Sequence, residues 1–437
     1  MTTRRDFLRN AAYVTAASMI GAAGAPKFTF AQEAGGKTFV KVFMRGGADG
    51  LHTFPKVGDI NYYNHRPNIA IEAPNSGDTE TSVSLGNGLA RAMNPNLEPL
   101  LEIWDAGRMM VAPACGITEG NRSHFDCQRW IGNGARSNII DGYLNRLLQE
   151  TGGETGQLRG AVLGKGSVST ELSGQIAVPA INNPGNFEIE NNDFCMGSGC
   201  ADNQLTELMM QVVSNSPTDM SDVEARVRAT QLVTLDTISG VMGATQNYVT
   251  DAGGLEYSGS SLGKGLKMVA QFLKGGIPLE VAAMDFNVGW DSHSNQIADG
   301  AQRFTDQTKG YHRNIRQGAL DFVTFYRDIG PLLDNVVVLV CTEFGRTVKE
   351  NGSQGTDHGH ASGWFAFGGP TSPVMAEDVT TLAEENLDRG RYLPNVVDYR
   401  NVVGEIMVRH MGLSENLVST VFPGHGFTNL NLFTQTS

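Results

Sequence analysis

The segment GTDHGHASG, residues 355–363, places one aspartate and two histidines within four positions, with glycines on both sides. The whole chain has nine histidines in 437 residues, so two of them are concentrated in this segment. Carboxylate and imidazole together are the usual ligands of zinc, manganese and iron, and glycines let the backbone approach an ion closely. The alternative is a glycine-rich turn that carries polar residues without binding an ion. The remaining sequence has to distinguish these two interpretations.

Other side chains that bind metals follow segments predicted to be strands. They are Asp49 after 37–44, Asp291 and His293 after 279–286, and Glu343 after 335–342. Residues two apart in an extended segment face the same way, so an Asp-x-His or His-x-His pair can converge on one ion. We therefore predict a metal site formed by Asp49, Asp291, His293, Glu343, Asp357, His358 and His360. Asp285 is a rival for the acidic position of Asp291, and Glu343 either contacts the ion or supports a ligand.

Two residues are candidates for catalysis. Ser123 begins a helix predicted over 123–131, where the helix N-terminus favours an anion. A serine beside a metal can lose its proton and attack phosphorus or sulfur, whereas the alternative role is a helix N-cap. Arg346 is either a clamp for an anionic substrate, a role that Arg45 could also fill, or a buried ion-pair partner.

Short apolar strands alternate with amphipathic helices along the chain. Strands are predicted at 37–44, 109–114, 175–181, 279–286, 335–342 and 364–367, and helices at 95–106, 123–131, 139–148, 203–214, 219–249, 262–274, 296–328 and 398–411. The alternation predicts an α/β fold with a mostly parallel sheet and helices on both faces. Such sheets bind ligands beyond the carboxyl ends of their strands, which is where the candidate residues fall.

Residues 1–31 have the pattern of a twin-arginine export signal. Arg4 and Arg5 precede a mildly apolar run rich in alanine and glycine, and small residues precede a cleavage site after Ala31. We therefore expect the twin-arginine translocase to export the chain to the periplasm or outside the cell. The remaining residues, 32–437, contain no low-complexity linker and are predicted to form a single domain.

The charge of the chain bears on its partners. The formal net charge is −13 at pH 7, and removal of the signal takes away more basic than acidic residues. This acidity disfavours nucleic acid and anionic membranes as partners. An anionic ester or a glycan stays compatible, because a metal ion can reverse the field locally. No segment after the signal is long and apolar enough to span a bilayer.

The chain contains five cysteines. Cys195 and Cys200 flank a short loop that would close as a disulfide in an oxidising compartment, or they remain two free thiols. Cys341 lies in an apolar run and is predicted to be buried.

Five motifs together resemble a large bacterial family of twin-arginine-exported proteins of unknown function, which is grouped with the alkaline phosphatase and sulfatase superfamily. The motifs are RGGADGL at 45–51, RSHFD at 122–126, GWDSH at 289–293, EFGRT at 343–347 and GTDHGH at 355–360. The resemblance covers essentially the whole mature chain. It implies an alkaline-phosphatase-like three-layer α/β/α sandwich that holds one or two divalent ions, with zinc expected first and manganese or iron as alternatives.

The superfamily order is an aspartate after the first strand, a hydroxyl nucleophile at a helix start, an Asp…His pair, an Asp-His pair and a last histidine. The resemblance assigns these positions in turn to Asp49, Ser123, Asp291 with His293, Asp357 with His358, and His360 or His425. The Asp291–His293 pair is more closely spaced than in alkaline phosphatases, and Glu343 stands where the superfamily places its Asp-His pair. The sequence has no Cys-x-Pro-x-Arg stretch, which disfavours a sulfatase of the formylglycine type.

Two functions follow as hypotheses. The first is an exported metal-dependent hydrolase of phosphate or sulfate esters, with Ser123 or a bound water as the nucleophile. The second is a non-catalytic scaffold of the same fold that binds a glycan or a protein partner in the periplasm.

Overall fold

The structure is a computed structural model that describes residues 36–86, 88–118, 120–136, 139–152, 158–183, 238, 240–246 and 248–434. The predicted export signal, the helix predicted at 203–214, most of the helix predicted at 219–249, and the Cys195–Cys200 pair lie outside the described residues.

Ten strands are present in the described part of the chain. They are β1 (Thr38–Phe43), β2 (Val83–Ser84), β3 (Ala92–Met93), β4 (Met109–Gly116), β5 (Gly160–Leu163), β6 (Ala180–Ile181), β7 (Val281–Asp285), β8 (Val336–Cys341), β9 (Ser362–Gly368) and β10 (Val397–Asp398). Strands β2 and β3 form a separate pair, and the other eight form one sheet in the order β10-β4-β9-β8-β1-β7-β5-β6. Strand β9 is antiparallel to its neighbours β4 and β8, and the other pairs in this sheet are parallel. The prediction of a mostly parallel sheet is confirmed.

Helices lie between these strands. The α-helices are α1 (Gly50–Thr53), α2 (Ile60–His65), α3 (Leu101–Asp105), α4 (His124–Asn133), α5 (Tyr143–Glu150), α6 (Ser261–Lys274), α7 (Gly310–Ile329), α8 (Tyr399–Glu405) and α9 (Glu415–Val421). Short 3₁₀ segments are present at Pro95–Leu100, Thr170–Leu172, Gly330–Asn335 and Glu384–Asn386, and a π-helical turn at Ile406–His410 extends α8. None of the described helices is long and apolar enough to cross a membrane.

The side chains of β1 show how the sheet is covered on both faces. Successive residues of a strand point to opposite faces. Val40 and Val42 belong to a core that includes the buried faces of α6 and α7, whereas Phe39 and Phe43 belong to a second core with α4 and α5. Each of these four side chains is at most 2 % exposed, and burial of such a side chain stabilises the fold by about 1.5–3 kcal/mol. The architecture is therefore a three-layer α/β/α sandwich, as predicted.

The helix predicted over 296–328 begins only at Gly310. Residues before it are held by long-range hydrogen bonds instead of helical ones. The backbone N–H groups of Phe304 and Thr305 donate to Glu80, and Lys309 donates to the carbonyl of Ile297. The chain between β7 and α7 is consequently a long ordered loop.

One edge of the sheet collects the loops that carry the candidate residues. Because the strands other than β9 share a direction, the carboxyl ends of β1, β4, β7 and β8 meet at this edge. Strand β9 runs the opposite way, so its amino end lies there too. This is the edge at which open α/β sheets bind ligands.

Candidate metal centre

Three loops at this edge supply a cluster of side chains. His124 is the first residue of α4, and it follows β4 through a loop that ends at the N-cap, Ser123. Asp291 and His293 lie in the loop between β7 and α7, and His358 lies in the loop between β8 and β9. The cluster is therefore assembled from parts of the chain that only the sheet brings together.

Ligand atoms of His124, Asp291 and His358 all lie within 4.8 Å of one another, and Nε2 of His293 lies close to the atoms of Asp291 and His358. The Nε2 atom of His358 lies 3.1 Å from Nε2 of His124 and 3.0 Å from Nε2 of His293. Oδ1 of Asp291 lies 3.0 Å from Nε2 of His293, 3.1 Å from that of His358 and 3.6 Å from that of His124. Atoms that bind one ion tetrahedrally at 2.0–2.1 Å are about 3.3 Å apart, so the spacing of the atoms from His124, Asp291 and His358 fits a single bound ion.

The other ring nitrogen of each histidine faces an oxygen atom. These contacts are 2.8 Å from His124 Nδ1 to Glu343 Oε1, 3.0 Å from His358 Nδ1 to the Arg122 carbonyl, and 3.4 Å from His293 Nδ1 to Asp357 Oδ1. An oxygen acceptor favours the tautomer with its proton on Nδ1, which leaves a lone pair on Nε2. The Nε2 lone pairs of His124 and His293 both face that of His358, and lone pairs this close repel unless a cation lies between them. Histidine ligands in metal sites are usually held in this way.

Glu343 is fully buried behind His124. Its Oε1 atom accepts hydrogen bonds from the Gly46 N–H at 2.9 Å and from Gln128 Nε2 at 2.8 Å, besides that from His124. Burial alone would raise the pKa of Glu343, but the hydrogen bonds from His124 and Gln128 outweigh it and hold that pKa below its ordinary value. The hydrogen bond to Glu343 in turn raises the pKa of His124. Glu343 thus carries a negative charge, and that charge supports His124.

Arg346 fastens the Asp291 loop to the sheet edge. Its buried guanidinium donates to Asp291 Oδ1 at 2.5 Å and to the carbonyls of Gly47 at 2.8 Å and Trp290 at 3.0 Å. Partial burial would raise the pKa of Asp291, but the hydrogen bond and charge of Arg346 lower it below its usual range. Of the two roles considered for Arg346, the structure favours the buried ion-pair partner.

The other predicted ligands lie around the cluster or away from it. Asp357 stands behind His293, and its Oδ2 accepts from Arg391 Nη2 at 2.9 Å. The ring of His360 stacks on Tyr392, and its Nδ1 lies 2.6 Å from Asp388 Oδ2. His360 therefore lies beside the cluster with a carboxylate partner of its own.

Asp49 is not brought to the cluster. It is 1 % exposed, and its two oxygens form a bidentate pair with Arg66 at 2.7 and 3.0 Å. Gln296 Nε2 and the Leu51 N–H also donate to it, the latter as the cap of α1. These bonds take up the acceptor capacity that a metal would need. The rival Asp285 is engaged elsewhere as well, with Arg45 and Lys165.

His124 is the member of the cluster that sequence reasoning missed. Ser123 was predicted instead as a nucleophile, because it stands at the start of the helix. In the structure its Oγ accepts a hydrogen bond from the Asp126 N–H at 3.4 Å, which is the role of an N-cap. The available signal was that a histidine in the first turn of a helix after a parallel strand also points to the binding edge.

The glycines of the GTDHGHASG segment are explained by close backbone contact. A Cβ atom on Gly359 would lie 2.3 Å from the Arg346 carbonyl oxygen, and one on Gly355 would lie 2.3 Å from the carbonyl carbon of His293. A larger residue at position 355 would push this segment away from the Asp291 loop, and one at position 359 would push it away from Arg346. The two loops meet because their backbones touch.

The cluster is open to solvent on one side. The side chains of His293 and Asp291 are 47 % and 46 % exposed, whereas those of His358 and His124 are 27 % and 23 % exposed. An ion held by these residues would therefore be reached by water and by a small substrate.

Residues 262–378 match a family described as "Protein of unknown function (DUF1501)". This span contains the Asp291 and His358 loops, and the match confirms the family resemblance predicted from the motifs there. No curated protein matches the sequence.

Two solved structures show a distant likeness. One is a protein in the alkaline phosphatase superfamily from Vibrio parahaemolyticus, 9 % identical with a TM-score of 0.34, covering 86 % of this chain and 72 % of that chain. The other is the lipoteichoic acid synthase LtaP from Listeria monocytogenes, 12 % identical with a TM-score of 0.30, covering 77 % of this chain and 62 % of that chain. Because both TM-scores are low, the fold class is assigned from the order and direction of the strands in the sheet.

Proposed function

We propose that the chain is an exported metal-dependent hydrolase of phosphate or sulfate esters. The observation that carries the proposal is the convergence of the His124 and His358 imidazoles and the Asp291 carboxylate, with His293 beside them, at a solvent-open sheet edge. When bound there, a divalent ion would polarise the ester and lower the pKa of a water molecule.

The residues have separate roles in this proposal. His124, His358 and Asp291 hold the ion with His293 beside them, while Glu343 and the Arg122 carbonyl fix the orientation of two of the rings. Imidazoles together with a carboxylate suit zinc, with manganese and iron as alternatives. One such cluster is present among the described residues.

A water molecule is favoured over Ser123 as the nucleophile. The Ser123 hydroxyl already serves as the N-cap of α4, which orients it toward the Asp126 N–H rather than toward a substrate. Partial exposure of the ligands leaves space for water beside them.

Export is part of the proposal and is supported by the sequence alone. The paired arginines and the apolar run of residues 1–31 match a twin-arginine signal. That route carries folded proteins, which would allow the ion to be bound before export.

A second candidate is a non-catalytic scaffold that binds a glycan or a protein partner. If His293 joins His124, His358 and Asp291, then four protein ligands surround the ion, which is typical of structural zinc sites, whereas catalytic sites usually have three. In that case the ion would stabilise the three loops without taking part in turnover.

Metal analysis combined with ester hydrolysis tests both candidates. We expect about one equivalent of metal in the purified wild type and none in His124→Ala or His358→Ala. His360→Ala is the matched control, since His360 belongs to the same segment but lies outside the cluster, and it should retain the metal.

Hydrolysis of p-nitrophenyl phosphate, bis-p-nitrophenyl phosphate or p-nitrophenyl sulfate should be lost together with the metal. Metal binding without hydrolysis of any ester would favour the scaffold. A folded wild type that binds no zinc, manganese or iron would contradict the hydrolase and would favour the scaffold.

A further inference from the structure

Two arginines are held on one tyrosine beside the metal centre. The guanidinium carbon of Arg122 lies 4.7 Å from the centroid of the Tyr392 ring, and that of Arg391 lies 5.6 Å from it. Arg122 Nη1 also hydrogen-bonds to the Tyr392 hydroxyl. The ring is itself fixed, since Tyr392 is 7 % exposed and stacks on His360 with 4.6 Å between centroids. Tyr392 is therefore a rigid support for two positive groups.

Each arginine is also connected to a ligand of the cluster. The Arg122 carbonyl accepts the hydrogen bond from His358, and Arg122 has a φ of 66°, which is uncommon for a residue with a long side chain. Arg391 donates to Asp357, which in turn faces His293. The contacts that orient two metal ligands thus also determine where the two guanidiniums lie.

Both guanidiniums retain hydrogen-bonding capacity. In the described part of the chain, the Arg122 guanidinium contacts the hydroxyl and the ring of Tyr392 and forms no ion pair with a carboxylate. Arg391 donates to Asp357, which offsets part of its charge, and its side chain is 54 % exposed. A guanidinium has five N–H donors in a planar fork that matches the oxygens of carboxylate, sulfate and phosphate.

The acidity of the whole chain distinguishes Arg122 and Arg391 as a place where an anion could bind. The chain has a formal net charge of −13, so general surface basicity does not attract anions to it. An acidic group would bind where cationic side chains are concentrated and held in place, and Arg122 and Arg391 meet both conditions beside the candidate ion site.

We propose that Arg122 and Arg391, supported by Tyr392, form a subsite for an acidic group of the substrate other than the group that is hydrolysed. This inference rests on the proposed function and narrows it: the substrate class is an ester that carries a second oxyanion. The ion site would bind the reacting ester while the two arginines bind the remote carboxylate, sulfate or phosphate.

Equilibrium binding of simple sulfonates tests the subsite without any turnover. Metal-loaded protein is titrated with methanesulfonate and with alkane disulfonates of two, three and four carbons, and binding is measured by calorimetry. We expect the best disulfonate to bind the wild type at least about tenfold more tightly than methanesulfonate, as one charge-assisted hydrogen bond would provide. This ratio should fall to about one in Arg391→Gln and in Arg122→Gln.

Controls separate this inference from the proposed function. Arg389→Gln removes a neighbouring arginine that is 72 % exposed and 3.9 Å from its nearest carboxylate, and it should keep the ratio. Metal content and folding stability are measured in every variant, because Arg391 also donates to Asp357. A ratio that persists without ester hydrolysis supports the subsite and contradicts the hydrolase. A ratio of about one in a metal-loaded, ester-hydrolysing wild type overturns the subsite alone.

Discussion

Replacement of Glu343 by glutamine should weaken metal binding while preserving the shape of the site. The glutamine carbonyl can occupy the position of Oε1, where it still accepts from His124, Gln128 and the Gly46 N–H at 2.8–2.9 Å. Its amide NH₂ then faces the Thr342 hydroxyl, which lies 2.9 Å from Oε2.

The Thr342 hydroxyl can accept that new hydrogen bond. Its own proton is free to point to the Met44 carbonyl, which lies 2.7 Å away. The hydrogen-bond pattern around residue 343 is therefore kept, and the substitution removes only the negative charge. A change in metal affinity would report on that charge rather than on a collapsed site.

The size of the effect follows from the role of Glu343 behind His124. Loss of a carboxylate that supports a histidine ligand lowers metal affinity by about 10- to 100-fold, or about 1.4–2.7 kcal/mol. Zinc affinity is measured by competition with a chromogenic chelator at fixed pH, and urea unfolding is measured with and without the ion. The variant should lose more stability in the metal-loaded state than in the metal-free state.

Glu405→Gln is the matched control. Glu405 is also fully buried, but it accepts the backbone N–H groups of Leu430, Leu432 and Phe433 far from the cluster. Its substitution should change the folding stability and leave zinc affinity unaltered. If Glu343→Gln binds zinc within twofold of the wild type, then the carboxylate does not support His124 and the reasoning is refuted.

Other substitutions test the surrounding structure. Asp49→Ala should lower the free energy of unfolding by about 3–5 kcal/mol, because Arg66 loses its buried partner, while the metal stoichiometry stays unchanged in elemental analysis. Gly359→Ala should abolish metal binding, because the new Cβ atom would lie 2.3 Å from a backbone carbonyl oxygen. In the control Gly352→Ala the new Cβ atom would meet no atom within 4 Å, and this variant should bind the metal normally. Burial lowers the pKa of His52 from 6.5 to about 3. Between these pH values the imidazole of His52 binds a proton in the unfolded chain but not in the folded chain. His52 should therefore contribute a fall of about 1.4 kcal/mol per pH unit in the free energy of unfolding as the pH drops from about 6.5 toward 3, and His52→Leu should reduce the slope by that amount in denaturant titrations.

The sequence predicted the long buried strands well. The apolar runs of β1, β7 and β8 are each placed within two residues, because strands covered on both faces are continuously apolar. Strand β5 has four residues and β10 has two, which is too short for a pattern to be read. The direction of β9 depends on how the chain returns across the sheet, and the residues of the strand carry no information about it.

The candidate site was predicted in part. Asp291, His293 and His358 were found because they follow parallel strands, and sheet topology decides where such residues meet. Asp49 satisfies the same rule, yet its charge is neutralised by Arg66, which is 17 positions away in a segment with no recognisable pattern. A local pattern can place a carboxylate at the binding edge, but the choice between an ion and an arginine depends on tertiary contacts.

The wide separation of the ligands along the chain has a consequence for folding kinetics. His124 and His358 are 234 positions apart, and His293 and His358 are 65 positions apart. The unfolded chain therefore offers an ion no preformed site, and the ligands assemble only after β4, β7 and β8 have aligned. An interaction that forms after the folding barrier slows unfolding and leaves the folding rate unchanged. The ion would then lower the unfolding rate of the native state. A chelator would shorten the lifetime of the folded protein without changing its folding rate.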